Sequence, residues 1–243
     1  MVKSENDYDP AGTVAVITAA GSGTRMETGQ AKQFLYLDGR PLLATTLEPF
    51  QKCRTVDAII LVVPSKDVDF CQKEIVAAFK FDKVKKVVPG GERRQDSVRS
   101  GIEATKGEYG LVLIHDGVRP LIDEALIERV IEKAKTHRAV ITALPAMETV
   151  KEVTGQGEVV KTYDRNRVWL VQTPQIFHYE DIVAAHQKAL VEGWEEATDD
   201  SLLVERLGIP VNVIEGSDKN IKVTTPNDLE LARFLINIET PKA

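Results

Sequence analysis

The sequence predicts a single α/β domain on a mostly parallel, doubly wound sheet, with a β-hairpin arm standing off it. Three observations carry this. Short apolar, β-branched runs alternate along the chain with stretches of helical periodicity, the pattern of strands buried on both faces by crossover helices. The alternation breaks once, between Met147 and Trp169, where two rather polar strand-like segments flank a Gly-rich turn. The length of 243 residues, with 43% hydrophobic and 28% charged, is enough for a sizeable core beneath an ordinary surface. Residues 1–243 therefore read as one domain, with an arm at about 146–168.

The elements follow in order. Met1 to Gly12 is a polar leader, expected to fray. Thr13–Thr18 is a buried strand, and a Gly-rich loop, Gly21-Ser-Gly-Thr-Arg-Met26, follows it. Pro41 opens a helix to about Cys53, since proline is tolerated in a first turn. Ala58–Val63 is a strand, Lys66–Phe79 a helix and Val84–Val88 a strand. After the Gly90-Gly91 turn, Asp96–Thr105 is helical and Leu111–Ile114 is a strand ending at His115-Asp116. Asp123–His137 carries Leu126, Ile127, Val130, Ile131 and Ala134 on one helical face. Ala139–Thr142 is a strand; Thr149–Val153 and Glu158–Thr162 form the hairpin around Thr154-Gly-Gln-Gly157. Val168–Val171 reads as a strand, Tyr179–Glu192 and Asp199–Leu207 as helices, and Val211–Ile214 as a strand. The closing helix runs from Pro226 to Ile238, with Thr225 at its N-cap and Asp228 in its first turn.

Composition narrows the function. A net charge of −6 argues against a nucleic-acid partner, which calls for a basic footprint. The first ten residues lack the apolar core of a signal peptide, and no apolar run approaches the ~18 residues of a membrane span. Cys53 and Cys71, without CxxC spacing, fit two buried thiols in a reducing compartment. Together these point to the cytoplasm.

Polar residues gather in a few blocks. In Ala19-Ala20-Gly21-Ser-Gly23-Thr-Arg25, small residues after a strand let the backbone approach a ligand and aim N–H groups at phosphate oxygens. Met26 stands where a dinucleotide fingerprint needs glycine, and no P-loop motif is present. Arg25 and Lys32 add two cations nearby, which suits a triphosphate. Arg93 and Arg94, after Gly90-Gly91, stand at a helix start where the dipole disfavours cations, a hint of an anionic ligand unless Glu92 or Asp96 takes them. Asp116 and Arg119 occupy the carboxyl end of a strand, where open α/β sheets bind ligands: Asp116 suits a divalent cation or a ribose hydroxyl, and Arg119 a phosphate. His115 lacks a matching partner and is expected to be structural. Lys222 is informative only if it faces the cleft.

Taken together these blocks resemble the 2-C-methyl-D-erythritol 4-phosphate cytidylyltransferases. Those that carry the resemblance are Ala19-Ala-Gly-x-Gly-x-Arg-Met26, Lys32-Gln-Phe34, Gly90 to Ser97, His115-Asp116 with Arg119-Pro120, Asp164-Arg-Asn166 with Trp169, Thr173-Pro-Gln175, Thr198-Asp199, and Asn220-Ile-Lys-Val-Thr224. The likeness spans Val14 to Leu235 and departs from the common pattern at Ala31, where proline is frequent, and at Gly117, where alanine is. It implies a nucleotide-diphospho-sugar transferase-like fold, CTP and 2-C-methyl-D-erythritol 4-phosphate as substrates, Mg²⁺ or another divalent cation, and a homodimer built partly by the arm. It implies Arg25 and Lys32 at the pentacoordinate phosphorus, with Arg165 and Lys222 holding the sugar phosphate. Ala19, Ala20, Gly91 and Ser97 would line the cytidine site, with Gly21, Gly23, Arg94, Arg119 and Thr198 among the other substrate contacts. Asp116 would lie near ribose, metal or sugar phosphate, the metal being held mainly by CTP itself, and Thr149 would reach in from the partner's arm. A ribitol 5-phosphate cytidylyltransferase is the nearest alternative, although the Asp164–Trp169 and Thr198–Ser201 blocks look more like the methylerythritol enzymes. A non-catalytic nucleotide-binding protein is the alternative from another class. The phosphate-monoester nucleophile, with a second pKa of about 6, needs no protein base.

Overall fold

The computed structural model describes residues 12–21, 31–194 and 197–239. Apart from Gly12, the expected leader lies outside these residues, as do Gly23 and Arg25 of the first loop.

The strand β1 (Thr13–Thr18), apolar between its two threonines, is buried along its whole length. A short ladder of β2 (Tyr36–Leu37) and β3 (Arg40–Pro41) leads into α1 (Leu42–Lys52), which starts one residue after Pro41. Next comes β4 (Ala58–Val63). The single helix expected over 66–79 is instead a 3-10 turn at Ser65–Asp67, one α turn, α2 (Val68–Phe70), and a π-helical segment at Cys71–Ala77. Its buried Cys71, Ile75 and Val76 are spaced four and five apart, which suits the wider π winding better than a 3.6-residue period. Then follow β5 (Val84–Pro89), α3 (Arg94–Thr105) and β6 (Leu111–Asp116). The stripe of α4 (Glu124–Ala134) is buried as its spacing predicts, and the Asp123 carboxylate caps the helix by accepting the Leu126 N–H at 2.7 Å.

Then come β7 (Ala139–Pro145), the hairpin strands β8 (Lys151–Val153) and β9 (Val159–Thr162), and β10 (Trp169–His178). The chain closes with α5 (Tyr179–Val191), α6 (Asp200–Glu205), β11 (Asn212–Glu215) and α7 (Pro226–Glu239). Thr225 caps α7 as expected: its hydroxyl accepts the Asp228 N–H, while the Asp228 carboxylate accepts the N–H groups of Thr224 and Thr225.

The main sheet has seven strands in the order β11-β7-β10-β6-β1-β4-β5. All neighbours are parallel except β10, which is antiparallel to both β6 and β7. The sequence predicts a strand only over 168–171. The structure corrects this: the register against β7 shifts between Val171 and Gln175, so Pro174 sits where the ladder is interrupted and no N–H is required of it.

Side chains alternate across the sheet. Ala15 and Ile17 pack with α1 and α4 on one face, and Val14 and Val16 with α3, α5 and α6 on the other. A smaller cluster of Leu37, Leu42, Val118, Val223, Leu229 and Ala232 ties α7 to the turn after β6. From β1 the chain steps to β4 and β5 on one side, then returns to β6 on the other. The carboxyl ends of β1 and β6 therefore flank a topological switch point, where open α/β sheets bind ligands.

The β8–β9 hairpin is exposed throughout, as the arm reading expects. It is less polar than its sequence suggests: Met147, Val153, Val159, Val160, Trp169 and Leu170 are all exposed on it or at its root.

Candidate active site

The switch point opens into a cleft. Thr18, at the end of β1, pairs in register with Asp116 at the end of β6. From that seam Ala19, Ala20 and Gly21 form one wall, and Lys32, Gly91, Ser97 and Lys222 face them. A second hollow, lined by Arg119, Gln172, Thr173, Thr198 and Asp199, adjoins it and shares Arg94, Asp116 and Lys222 with it. The close approach of the walls requires glycine. A Cβ on Gly90 would sit 2.3 Å from the Ala20 Cβ, and one on Gly91 would sit 2.4 Å from the Asp96 Cβ. The Ser97 hydroxyl is 3.2 Å from the Gly91 N–H and fixes that turn.

Asp116 is the centre of the arrangement. Its side chain is nearly buried, and three cations converge on it: Arg94 Nε at 3.3 Å from Oδ1, and Arg119 Nε at 3.3 Å and Lys222 Nζ at 3.0 Å from Oδ2. Burial works to raise its pKa, but Arg94, Lys222 and Arg119 outweigh that and hold the carboxyl well below the usual carboxylate range. Lys222 faces the cleft because the Val223 N–H bonds to the Val118 carbonyl at 2.9 Å and Arg119 donates to the Asn220 carbonyl at 2.7 Å. Asn220, in turn, donates to the Thr173 carbonyl at 2.7 Å.

His115 supports this cluster from behind, as the sequence suggests. The Thr173 hydroxyl accepts the Asp116 N–H at 3.1 Å, which leaves its proton for His115 Nδ1 at 3.0 Å. The imidazole proton is thus on Nε2, 3.5 Å from the Arg119 carbonyl. Burial pushes the His115 ring down to about 3; Asp116 opposes the shift, and Arg119 and Lys222 add to it. In the unfolded chain the ring titrates near 6.5. The unfolded state therefore binds the extra proton first, and stability falls as pH drops from about 6.5 towards 3. Urea unfolding between pH 6.5 and 4.5 should show wild type losing up to ~1.4 kcal/mol per pH unit more than His115→Asn; equal slopes would contradict this.

The two arginines at the start of α3 separate. Arg93 pairs with Asp96 at 2.8 Å, the nearby acid that offsets it. Arg94 lies between Asp116 and Asp200, the latter 2.7 Å away. The anions that make a cation tolerable at this helix start are the protein's own carboxylates. Gly117, where the common pattern has alanine, is held firmly in place. Its N–H bonds to the Thr18 carbonyl at 2.8 Å, its carbonyl accepts the Thr46 hydroxyl at 3.2 Å, and a Cβ there would meet Ala19 at 2.9 Å.

Of the expected site residues, Ala19, Ala20, Gly21, Lys32, Gly91, Arg94, Ser97, Asp116, Arg119, Thr198 and Lys222 line the two hollows. Arg165 and Thr149 line neither: both are exposed at the root of the arm, where Arg165 donates to the Met147 carbonyl at 2.8 Å. Gly23 and Arg25 lie outside the described residues. Sequence reasoning did not single out Asp200, which no local pattern ties to Arg94, or the use of Thr173 as acceptor for Asp116.

The chain is similar to known proteins along most of its length. The family model described as 2-C-methyl-D-erythritol 4-phosphate cytidylyltransferase matches residues 13–238. A protein of that name from Syntrophus aciditrophicus is 46% identical over 226 residues, which cover 93% of this chain and 96% of that relative. One from Geobacter metallireducens is 44% identical over 230 residues, covering 93% and 98%. Among solved structures, 4-diphosphocytidyl-2C-methyl-D-erythritol synthase from Anaerococcus prevotii superposes with a TM-score of 0.82 at 34% identity, covering 93% of this chain and 96% of that one. The 2-C-methyl-D-erythritol 4-phosphate cytidylyltransferase of Francisella tularensis gives a TM-score of 0.78 at 32% identity, covering 92% and 99%.

Proposed function

The chain belongs to the 2-C-methyl-D-erythritol 4-phosphate cytidylyltransferase family, and from that membership we infer its reaction. It transfers the cytidylyl group of CTP to 2-C-methyl-D-erythritol 4-phosphate in isoprenoid precursor biosynthesis. The products are 4-diphosphocytidyl-2-C-methyl-D-erythritol and pyrophosphate. The ribitol 5-phosphate alternative is not favoured. The observation in the fold that best supports this chemistry is the convergence of Arg94, Arg119 and Lys222 on one carboxylate at the switch point. The site brings two highly anionic substrates together, so the dominant obstacle is electrostatic.

We propose the following division of roles. CTP occupies the hollow between Ala19–Gly21 and Gly91–Ser97, with Lys32 at its phosphates. The acceptor's phosphate lies in the adjoining hollow at Arg119 and Lys222. An oxygen of that phosphate attacks the α-phosphorus of CTP, the bond from the α-phosphorus to the bridging oxygen breaks, and pyrophosphate leaves with the electron pair. The nucleophile is largely a dianion near neutral pH, so no side chain has to remove a proton. Lys32, and Arg25 beyond the described residues, stabilise the charge that accumulates on the transferring group.

Arg165 and Thr149 enter this scheme from a second copy. Both are exposed on the arm and line neither hollow of their own chain, and the arm carries an apolar surface that a partner would cover. Lys222→Ala and Arg165→Ala should each raise KM for the sugar phosphate by roughly tenfold or more, as loss of a charged contact does, with KM for CTP little changed; unchanged kinetics for both would remove the positioning role. Mixing Lys32→Ala with Arg165→Ala protein should restore activity, because one site of a mixed dimer is then intact. No recovery after subunit exchange would overturn supply in trans.

The described residues do not build a metal cage. No group of three or more metal-ligating side chains occurs among them, and both oxygens of Asp116 already face cations. We propose that Mg²⁺ or another divalent cation arrives chelated by the triphosphate, as part of the substrate. The rate should then follow the concentration of the metal–CTP complex, whereas tight metal binding by the protein alone would contradict this. No helix among the described residues is long and apolar enough to cross a membrane. We propose that the enzyme acts in the cytoplasm, which cell fractionation checks, without a nucleic-acid partner.

A further inference from the structure

Asp200 is 1% exposed, and its carboxylate points at Arg94, 106 residues earlier in the chain. It is the first residue of α6, but it does not cap that helix: Asp199 does, accepting the Leu202 N–H at 3.0 Å. His186, itself 2% exposed, stands 3.4 Å from the other oxygen without the alignment of a hydrogen bond. A carboxylate withdrawn from water is costly, and where only packing is required an apolar side chain serves as well or better. The bond to Arg94, at 2.7 Å through Nη1, is what Asp200 provides here.

That bond constrains how Arg94 meets the cleft. With Nη1 held by Asp200, Arg94 meets Asp116 through Nε, at 3.3 Å from Oδ1. Asp116 Oδ2 is left to Lys222 and Arg119. An unrestrained guanidinium beside a carboxylate favours the forked geometry that takes both oxygens. Gln95 adds a second tie between these helix starts, accepting the Ala197 N–H at 3.1 Å.

We propose that Asp200 is a positioning residue for the acceptor side of the reaction: it holds the Arg94 fork away from Asp116 Oδ2, which keeps Lys222 seated where the sugar phosphate binds. The proposal rests on the assignment of Lys222 to that phosphate. Asp200 touches no substrate; it acts through Arg94 and Asp116.

Steady-state kinetics with both substrates on Asp200→Asn, Asp200→Glu, Lys222→Ala and the Asp200→Asn/Lys222→Ala double variant test this. Asp200→Asn should raise KM for 2-C-methyl-D-erythritol 4-phosphate roughly tenfold, the size of a coupled charge contact, with KM for CTP within about twofold of wild type. Asp200→Glu, which keeps the charge, should recover part of the loss. In the double variant the KM should match Lys222→Ala alone, because the contact Asp200 protects is already gone. An additive double variant, or equal rises in both KM values, would overturn the proposal. If Asp200→Asn does not fold, Asp200→Glu decides, since the longer side chain keeps the charge but displaces the fork; its effect on KM for the sugar phosphate must likewise vanish in the Lys222→Ala background. Wild-type protein without turnover on CTP and the sugar phosphate would remove the underlying reading and this proposal with it. An active wild type with additive losses would remove this proposal alone.

Discussion

Lys32→Ala is expected to lower kcat by roughly 10²-fold or more, the cost of removing a fixed charge from where negative charge develops in a transition state. Lys32 begins a 3-10 turn whose next two residues, Gln33 and Phe34, are buried. Phe34 packs edge-on against Phe70 with ring centroids 5.1 Å apart, and the Leu35 N–H bonds to the Lys32 carbonyl at 3.1 Å. The backbone is therefore anchored, and the side chain lines the cleft from a rigid base. Preorganisation of this kind makes a charge effective, because little reorganisation is left for the moment of reaction. KM for CTP should change much less than kcat if Lys32 acts mainly on the transition state. Lys32→Arg should keep part of the rate. A Lys32→Ala enzyme within a few-fold of wild-type kcat would exclude Lys32 from phosphorus stabilisation.

Asp116→Ala should cost both activity and stability. It leaves Arg94, Arg119 and Lys222 facing one another without the anion they share. Breaking a buried pair typically costs ~3–5 kcal/mol, and the lower end is expected here. Arg94 keeps Asp200, Arg119 keeps the Asn220 carbonyl, and the Lys222 side chain is 39% exposed. Urea unfolding at neutral pH measures that loss. Turnover should fall by roughly 10²-fold or more, since acceptor and nucleotide contacts both hinge on this carboxylate. Because the cations hold Asp116 ionised well below the usual carboxylate range, its stabilisation is present above the unfolded value and is lost only as pH falls through the folded one. It should not shape the rate profile near neutrality. A loss of rate below about pH 6 belongs instead to protonation of the acceptor phosphate. An Asp116→Ala protein as stable as wild type would contradict the picture of one anion balancing three cations.

Much of this was legible in the sequence because it is local. The alternation of β1, β4 and β6 with their helices announced the parallel sheet, and the position of Asp116 at the end of a strand placed the cleft. The buried stripe of α4 and the cap of α7 were periodic or short-range signals and held residue by residue. Long-range pairing left no such trace. That β10 inserts antiparallel between β6 and β7 depends on an interrupted ladder around Pro174, which reads in sequence as a strand's end. Arg93 and Arg94 look alike in sequence, yet one is offset three residues away and the other by carboxylates 22 and 106 residues away. Arg165 lies in a motif block and Thr149 entered through the resemblance alone, but neither lines the hollows of its own chain, so the roles proposed for them call for a second copy.

The most direct test of the central claim is pyrophosphate release by the purified protein with Mg²⁺ and CTP, with 2-C-methyl-D-erythritol 4-phosphate and ribitol 5-phosphate compared as acceptors. The account predicts release with the methylerythritol phosphate and essentially none with the ribitol phosphate. Release with ribitol 5-phosphate alone, or CTP binding without release on either acceptor, would contradict it.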